Sequence, residues 1–266
     1  MNGPPSSLAN DDATLLSRIE DAGINASAPP QQRWLDGWLL RFSPGKAKRA
    51  RCVNAVAPGR QPLERKLEFA REAYAQAGLP LIVRITPFTQ PGSLDSHLAS
   101  IGMHSLDDTR VMVCRRLDDL PDGTMPAGVS LQHVGHEPFA HAVGGLRGSA
   151  LAQRQAHAQR LTLSPVPFEA YVVKRNDDGA LLACGQFALE NDLAGLYDVF
   201  TAPEARGQGL AQALCRRLLS LARQRGARAG YLQVEGDNLP ARSAYRRLGF
   251  ADAYAYHYRT ADPAER

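Results

Sequence analysis

The sequence predicts an α/β (α+β) protein, a mixed central sheet flanked by helices and built as two tandem halves. Three observations carry that prediction. Short apolar or alternating runs take turns with stretches of helical spacing along the whole chain. A stretch with two prolines and a glycine, residues 118–126, divides it near the middle. The punctuation of one half also recurs in the other. Residues 68–85 and 219–233 share a helix, a glycine (Gly78, Gly226) and a strand, and Ile101-Gly102-Met103 returns 147 positions on as Leu248-Gly249-Phe250. Residues 53–58 likewise echo 198–203. The expected organisation is a disordered leader over 1–12, a first half over 13–120 and a second over 126–266.

The elements follow in order. Residues 13–22 carry Leu15, Leu16 and Ile19 at helical spacing, with Asp11 or Asp12 as N-cap and Gly23 as the stop. Runs at 34–42 and 52–57 read as two strands of a hairpin, and the basic run 46–51 between them as a solvated loop. Residues 63–77 form a helical face closed by Gly78, 81–85 a buried strand, 94–100 a short helix and 110–116 a strand. In the second half, strands are expected at 129–133, 169–174, 181–189, 193–201, 230–234 and 253–258. Helices are expected around 136–159, over 209–225 and over 240–248.

Composition narrows the function classes. Apolar residues at 44% and charged residues at 22% describe an ordinary folded protein, and a net charge of +4, spread as scattered arginines, does not call for nucleic acid. Cys52, Cys114, Cys184 and Cys215 are far apart, without C-x-x-C spacing, and read as reduced thiols. His133, His136, His141 and His157 lack the spacing of a zinc site, so no metal is expected. With no signal peptide or membrane span in the sequence, the expected location is cytoplasmic.

The chemistry concentrates after the strand at 193–201. Val199-Phe200-Thr201 ends that strand, Pro203 turns the chain, and Arg206-Gly207-Gln208-Gly209-Leu210-Ala211 opens a helix. A helix start exposes unpaired N–H groups and partial positive charge, and two glycines let a phosphate approach them. No Gly-Lys-Ser/Thr closes the loop, and no third glycine makes it a dinucleotide fingerprint. Arg206, Gly209 and Ala211 instead resemble the Arg/Gln-x-x-Gly-x-Gly/Ala pattern of the GNAT N-acetyltransferases. A second block resembles the same family: Leu232-Gln233-Val234-Glu235-Gly236-Asp237-Asn238, then Ala244-Tyr245 and Leu248-Gly249-Phe250.

That resemblance implies a GNAT fold and transfer of an acetyl group from acetyl-CoA to a primary amine, a small molecule or a protein amine. The cofactor would lie along Val199, Phe200, Thr201 and Arg206 to Ala211. Asn238 would bond the pantetheine arm or align the next helix, and Tyr245 would act as general acid for the departing thiolate. Some members carry Glu where Gln233 stands, so no base is assigned. Glu235, Asp237, Asp198, several histidines and a water relay stay open. The first half departs from the pattern. Pro58-Gly59-Arg60-Gln61-Pro62-Leu63 lacks the second glycine, Pro62 removes an N–H, and Leu98 stands opposite Tyr245. It reads as a degenerate half that completes the substrate cleft or replaces a homodimer partner, leaving the chain a monomeric pseudo-dimer or a homodimer. A non-catalytic acyl-CoA-binding sensor or scaffold is the other reading.

Overall fold

The computed structural model describes residues 7–265. The first half contains α1 (Ser7–Ala26), β1 (Gln31–Leu35), β2 (Trp38–Phe42), β3 (Val53–Ala55), α2 (Leu63–Gln76), β4 (Ile82–Ile85), α3 (Leu94–Ser100) and β5 (His104–Cys114). The second contains β6 (Val129–Val134), α4 (His136–Leu146), α5 (Leu151–Thr162), β7 (Phe168–Arg175), β8 (Leu181–Glu190) and β9 (Leu193–Thr201). It continues with α6 (Leu210–Gln224), β10 (Ala229–Glu235), α7 (Leu239–Arg246) and β11 (Ala251–Thr260).

All strands join one 11-stranded sheet in the order β1-β2-β3-β4-β11-β5-β10-β9-β8-β7-β6. Only β3–β4 and β9–β10 pair in parallel, each across a helical crossover, and the remaining pairs are antiparallel. The order is close to a palindrome about β11 and β5. Each half passes its last strand to the other: β5 lies between β11 and β10, and β11 between β4 and β5. The two halves are therefore joined through the backbone ladder itself.

The repeated punctuation has a common geometry. Gly78, Gly102, Gly226 and Gly249 all have positive φ. At each, the next residue donates back over the last helical turn: Leu79 to Tyr74, Met103 to Leu98, Ala227 to Ala222 and Phe250 to Tyr245. This is the glycine C-cap that ends a helix and turns it into a strand. Met112, Leu214, Leu218, Leu232 and Phe250 share one core beneath α6, and Trp38, Leu67, Tyr74 and Val83 another beneath α2. On the opposite face α1 covers the join of the halves, placing Ile19 and Ala22 against Ile82, Val111, Tyr231 and Tyr256.

Several expectations are corrected. The first helix starts at Ser7, so part of the expected leader is helical, and residues 1–6 lie outside the described residues. Asp11 and Asp12 are interior to it, and Asp12 pairs with Arg115 at 2.7 Å. Gly23 does not stop it. A Cβ there would lie 3.0 Å from the Gln233 amide nitrogen, so this glycine permits close packing. The run 34–42 is two strands, because Asp36 and Gly37, with φ of 43° and 83°, make a two-residue turn joining Leu35 to Trp38. The helix expected around 136–159 breaks into α4 and α5 around Gly148, φ 65°. The stretch 118–126 is strapped to α6, with Ser220 and Arg223 bonding Asp122 at 2.7 and 2.6 Å.

Candidate active site

The loop before α6 enters its helix through two left-handed glycines. A short 3-10 turn, Pro203–Ala205, follows β9, and Arg206 to Gly209 lead into the helix. Gly207 and Gly209 have φ of 75° and 73°, and a Cβ on either would meet nothing within 4 Å. Glycine is required there by backbone conformation rather than by space. Among the described residues, the N–H groups of residues 207–212 donate to no acceptor, and the buried Thr201 hydroxyl has no partner. Arg206 folds back, its Nε 3.3 Å from the Thr201 carbonyl and its guanidinium 5.6 Å from the Phe200 ring. Leu210 is buried and anchors the helix start, Gln208 bonds the Glu204 carbonyl at 3.3 Å, and Ala211 lies in the first turn.

Beside this loop the sheet opens. β9 and β10 pair only from Leu193–Ala229 to Leu196–Leu232 and then part. There β9 bulges: Tyr197 faces Gln186 and Phe200 faces Cys184, so Asp198 and Val199 together oppose Gly185. Val199 packs towards the α6 core and Phe200 towards α4. Asp198, at φ 52°, turns its carboxylate to Arg147 Nη1 at 2.8 Å, Gln186 Nε2 at 2.7 Å and His157 Nε2 at 3.2 Å. Burial alone would raise its pKa, but His157, Arg147 and Arg160 more than offset that and hold it far below the usual carboxylate range. It is an ionised structural anion, already committed to its partners.

Asp198→Asn is therefore expected to cost about 2 kcal/mol, less than a fully buried pair because Arg147 is partly exposed, read as a lower Tm. Because the folded pKa is depressed, this stabilisation is fully present above about pH 4 and fades as pH falls towards the folded value. A wild-type stability profile in acid, reproduced by the variant, would remove it.

The other wall is β10 and α7. Asn238 caps α7, its Oδ1 accepting from Ala241 N at 3.2 Å, and so aligns the helix. Gly236 N donates to the Asp108 carbonyl of β5 at 2.8 Å, so the first half holds this loop. Tyr245 packs against the α6 core, edge-on to Phe250 with centroids 6.1 Å apart. Among the described residues its hydroxyl has no hydrogen-bond partner, and burial, with the Cys215 thiol nearby, pushes its pKa well above the ordinary phenol value. It stays protonated at neutral pH. Leu98, its counterpart on α3, is fully buried.

Arg49 was not legible as a site residue. The run 46–51, expected as a solvated loop, is a 3-10 turn tied down by Lys48–Asp107 at 2.9 Å and Arg51–Glu265 at 2.8 Å; only Lys46 and Ala47 of it are exposed. Arg49 reaches the second half and donates to Gln233 Oε1, which also accepts from Tyr256 at 2.7 Å. Tyr254 and Tyr258 lie on the same face, packed beneath α1. Glu235 and Asp237 are exposed. Trp38 is core, under Lys66 at 4.5 Å, and Trp34 is exposed on the edge strand.

In the first half the corresponding loop is bonded by a side-chain carboxylate. From Pro58 to α2 the loop is two residues shorter than from Pro203 to α6. The Asp36 carboxylate accepts from Arg60 N at 2.8 Å and Gln61 N at 2.8 Å, just where α2 begins. Those two backbone bonds, Gln61 first, hold its pKa below the usual range. A side-chain carboxylate thus occupies the N–H groups that precede α2.

The model of the Acetyltransferase (GNAT) family matches residues 146–250. The uncharacterized N-acetyltransferase YobR of Bacillus subtilis (strain 168) is 26% identical over 252 residues, 94% of this chain and 98% of that protein. Two solved structures share the fold over nearly the whole chain. A GCN5-related N-acetyltransferase from Kribbella flavida has a TM-score of 0.67 at 22% identity, covering 93% of this chain and 95% of its own. A tandem GNAT protein from the clavulanic acid biosynthesis pathway has 0.63 at 18%, covering 91% and 87%. Among the described residues no helix is long and apolar enough to cross a membrane, and no three His, Cys, Asp or Glu side chains gather to hold a metal. With the motif loop, the family model over residues 146–250 and the shared fold in register, the second half is similar to the GNAT acetyltransferases.

Proposed function

We propose that the second half transfers an acetyl group from acetyl-CoA to a primary amine by direct attack. The observation that carries this is the run of unsatisfied N–H groups over residues 207–212, opening beside parted strands with Tyr245 on the helix behind. The loop N–H groups and the α6 dipole would hold the pyrophosphate, with Arg206 adding positive charge. The parted β9 and β10 leave room for the pantetheine arm between them. As the amine nitrogen bonds the thioester carbon, negative charge builds on the carbonyl oxygen, where backbone donors of the bulged strand can stabilise it. The carbon–sulfur bond then breaks and Tyr245 protonates the thiolate, while the proton lost by the amine nitrogen passes to solvent, from which the phenolate is reprotonated. No covalent enzyme intermediate is needed.

Tyr245→Phe is expected to lower kcat by about 10²-fold with little change in acetyl-CoA affinity, since the role is acid catalysis. Undiminished turnover in that variant would remove the acid role. One observation favours the sensor reading: the Gln233 amide, at a position where a carboxylate base would help, is held by Arg49 and Tyr256. Calorimetric titration with acetyl-CoA, followed by thiol release on a panel of amines, separates the two. Binding with release establishes the transferase, binding without release on any amine favours the sensor, and absence of binding overturns both.

A further inference from the structure

Resting on that transferase reading, we infer that the acceptor is an amine that also bears a carboxylate, received by Arg49 of the first half and Arg160 of α5. Both guanidinium groups lie on the sheet face covered by α1, α4 and α5, and both act on Tyr197, the residue before the β9 bulge. Neither is in an ion pair among the described residues. Among the described residues Arg49 has as acceptors only the Gln233 amide oxygen and, at 3.4 Å, the Tyr256 hydroxyl. Arg160 has, among the described residues, only the Ala26 carbonyl at 3.2 Å, and burial pushes its pKa down. Asp198 is near, but Arg147, Gln186 and His157 already surround its oxygens.

Two cations close enough to disfavour each other, opposed only by the charge of Asp198, whose oxygens are already bonded, mark a place where an anion is stabilised on entry. A guanidinium presents N–H groups in a fork that matches a carboxylate, and each arginine keeps such groups without an acceptor among the described residues. The position suits the chemistry. Gln233 lies on β10 across the gap from β9, so a carboxylate held at Arg49 puts the amine of the same small molecule beside the parted strands. The neighbouring positive charge also favours the neutral, nucleophilic form of the bound amine over its ammonium. This lessens the need for a carboxylate base where Gln233 stands.

The test is thiol release with proteinogenic amino acids, each paired with its decarboxylated amine and its carboxamide. The carboxylate form is expected to be preferred in kcat/KM by about 10-fold or more, the scale of hydrogen bonds to a charged group. Arg49→Gln, and independently Arg160→Gln, should reduce that preference by about 10-fold with the loss chiefly in KM, while Arg49→Lys retains part of it. A Tm within a few degrees of wild type shows that each variant is folded. Equal or better use of the decarboxylated amines, an equal loss for both members of each pair, or release confined to amines without a carboxylate would overturn the inference. Failure of the transferase reading is distinguishable, since it appears in the unaltered protein as absence of acetyl-CoA binding or as binding without thiol release on any amine.

Discussion

Gly209→Val is expected to weaken acetyl-CoA binding by about 100-fold or more, equivalent to roughly 3 kcal/mol, while Tm stays within a few degrees of wild type. Gly209 is exposed and a Cβ there meets nothing within 4 Å, so the substitution creates no clash. What it opposes is φ 73°, ψ 2°, a conformation that costs an L-residue about 1–2 kcal/mol, and more with a branched side chain. The loop relieves that cost by rotating. Rotation carries the N–H groups of residues 207–212 out of convergence, and hydrogen bonds to a charged acceptor are worth about 1.5–3 kcal/mol each. Asparagine tolerates the left-handed region, so Gly209→Asn should retain much of the affinity that valine loses. Calorimetric titration of the three proteins reads the series. Equal affinity of valine and wild type, or equal loss in asparagine and valine, would remove the conformational account and with it the pyrophosphate assignment.

That loop was legible in the sequence because its requirement is local: two residues in the left-handed region, at a helix start, after an apolar strand. The same holds for the four glycine C-caps, whose spacing gave away the repeat before any contact was known. Local patterns carry no information about partners, and the unreadable features are the ones that depend on partners. Nothing in the alternation of 104–114 says that β5 pairs with β10 and β11 of the other half. Arg49 bonds a residue 184 positions away, and a basic run gives no sign of which arginine turns inward. Gly23 was misread because a glycine that ends a helix and one that admits a neighbouring side chain look alike in one dimension. The Asp36-Gly37 turn was readable, but the apolar residues on both sides hid it within a longer run.

Strand exchange makes the join of the halves a place where stability is concentrated, and Glu20→Gln is expected to cost about 3–5 kcal/mol, the scale for removing one partner of a buried pair. Glu20 and Arg84 are 7% and 4% exposed. The carboxylate accepts from both terminal nitrogens of Arg84, Nη2 at 3.2 Å, and from the Tyr254 hydroxyl at 2.8 Å. Those three residues belong to α1, β4 and β11, so the contact ties the helix over the join to one strand from each half. Arg84 also stacks 4.0 Å from the Tyr256 ring, so it cannot swing to solvent without giving up packing. Burial opposes its charge, but Glu20 more than offsets that and its pKa is raised, leaving a fixed cation stranded in the variant. Chemical denaturation of wild type, Glu20→Gln, Arg84→Met and the double variant forms a cycle. Each single variant should be strongly destabilised and the double variant less than the sum, because removing both charges removes the desolvation cost together with the attraction. Additive losses would mean that the two side chains act independently and that the join is held by its backbone ladder and apolar packing alone.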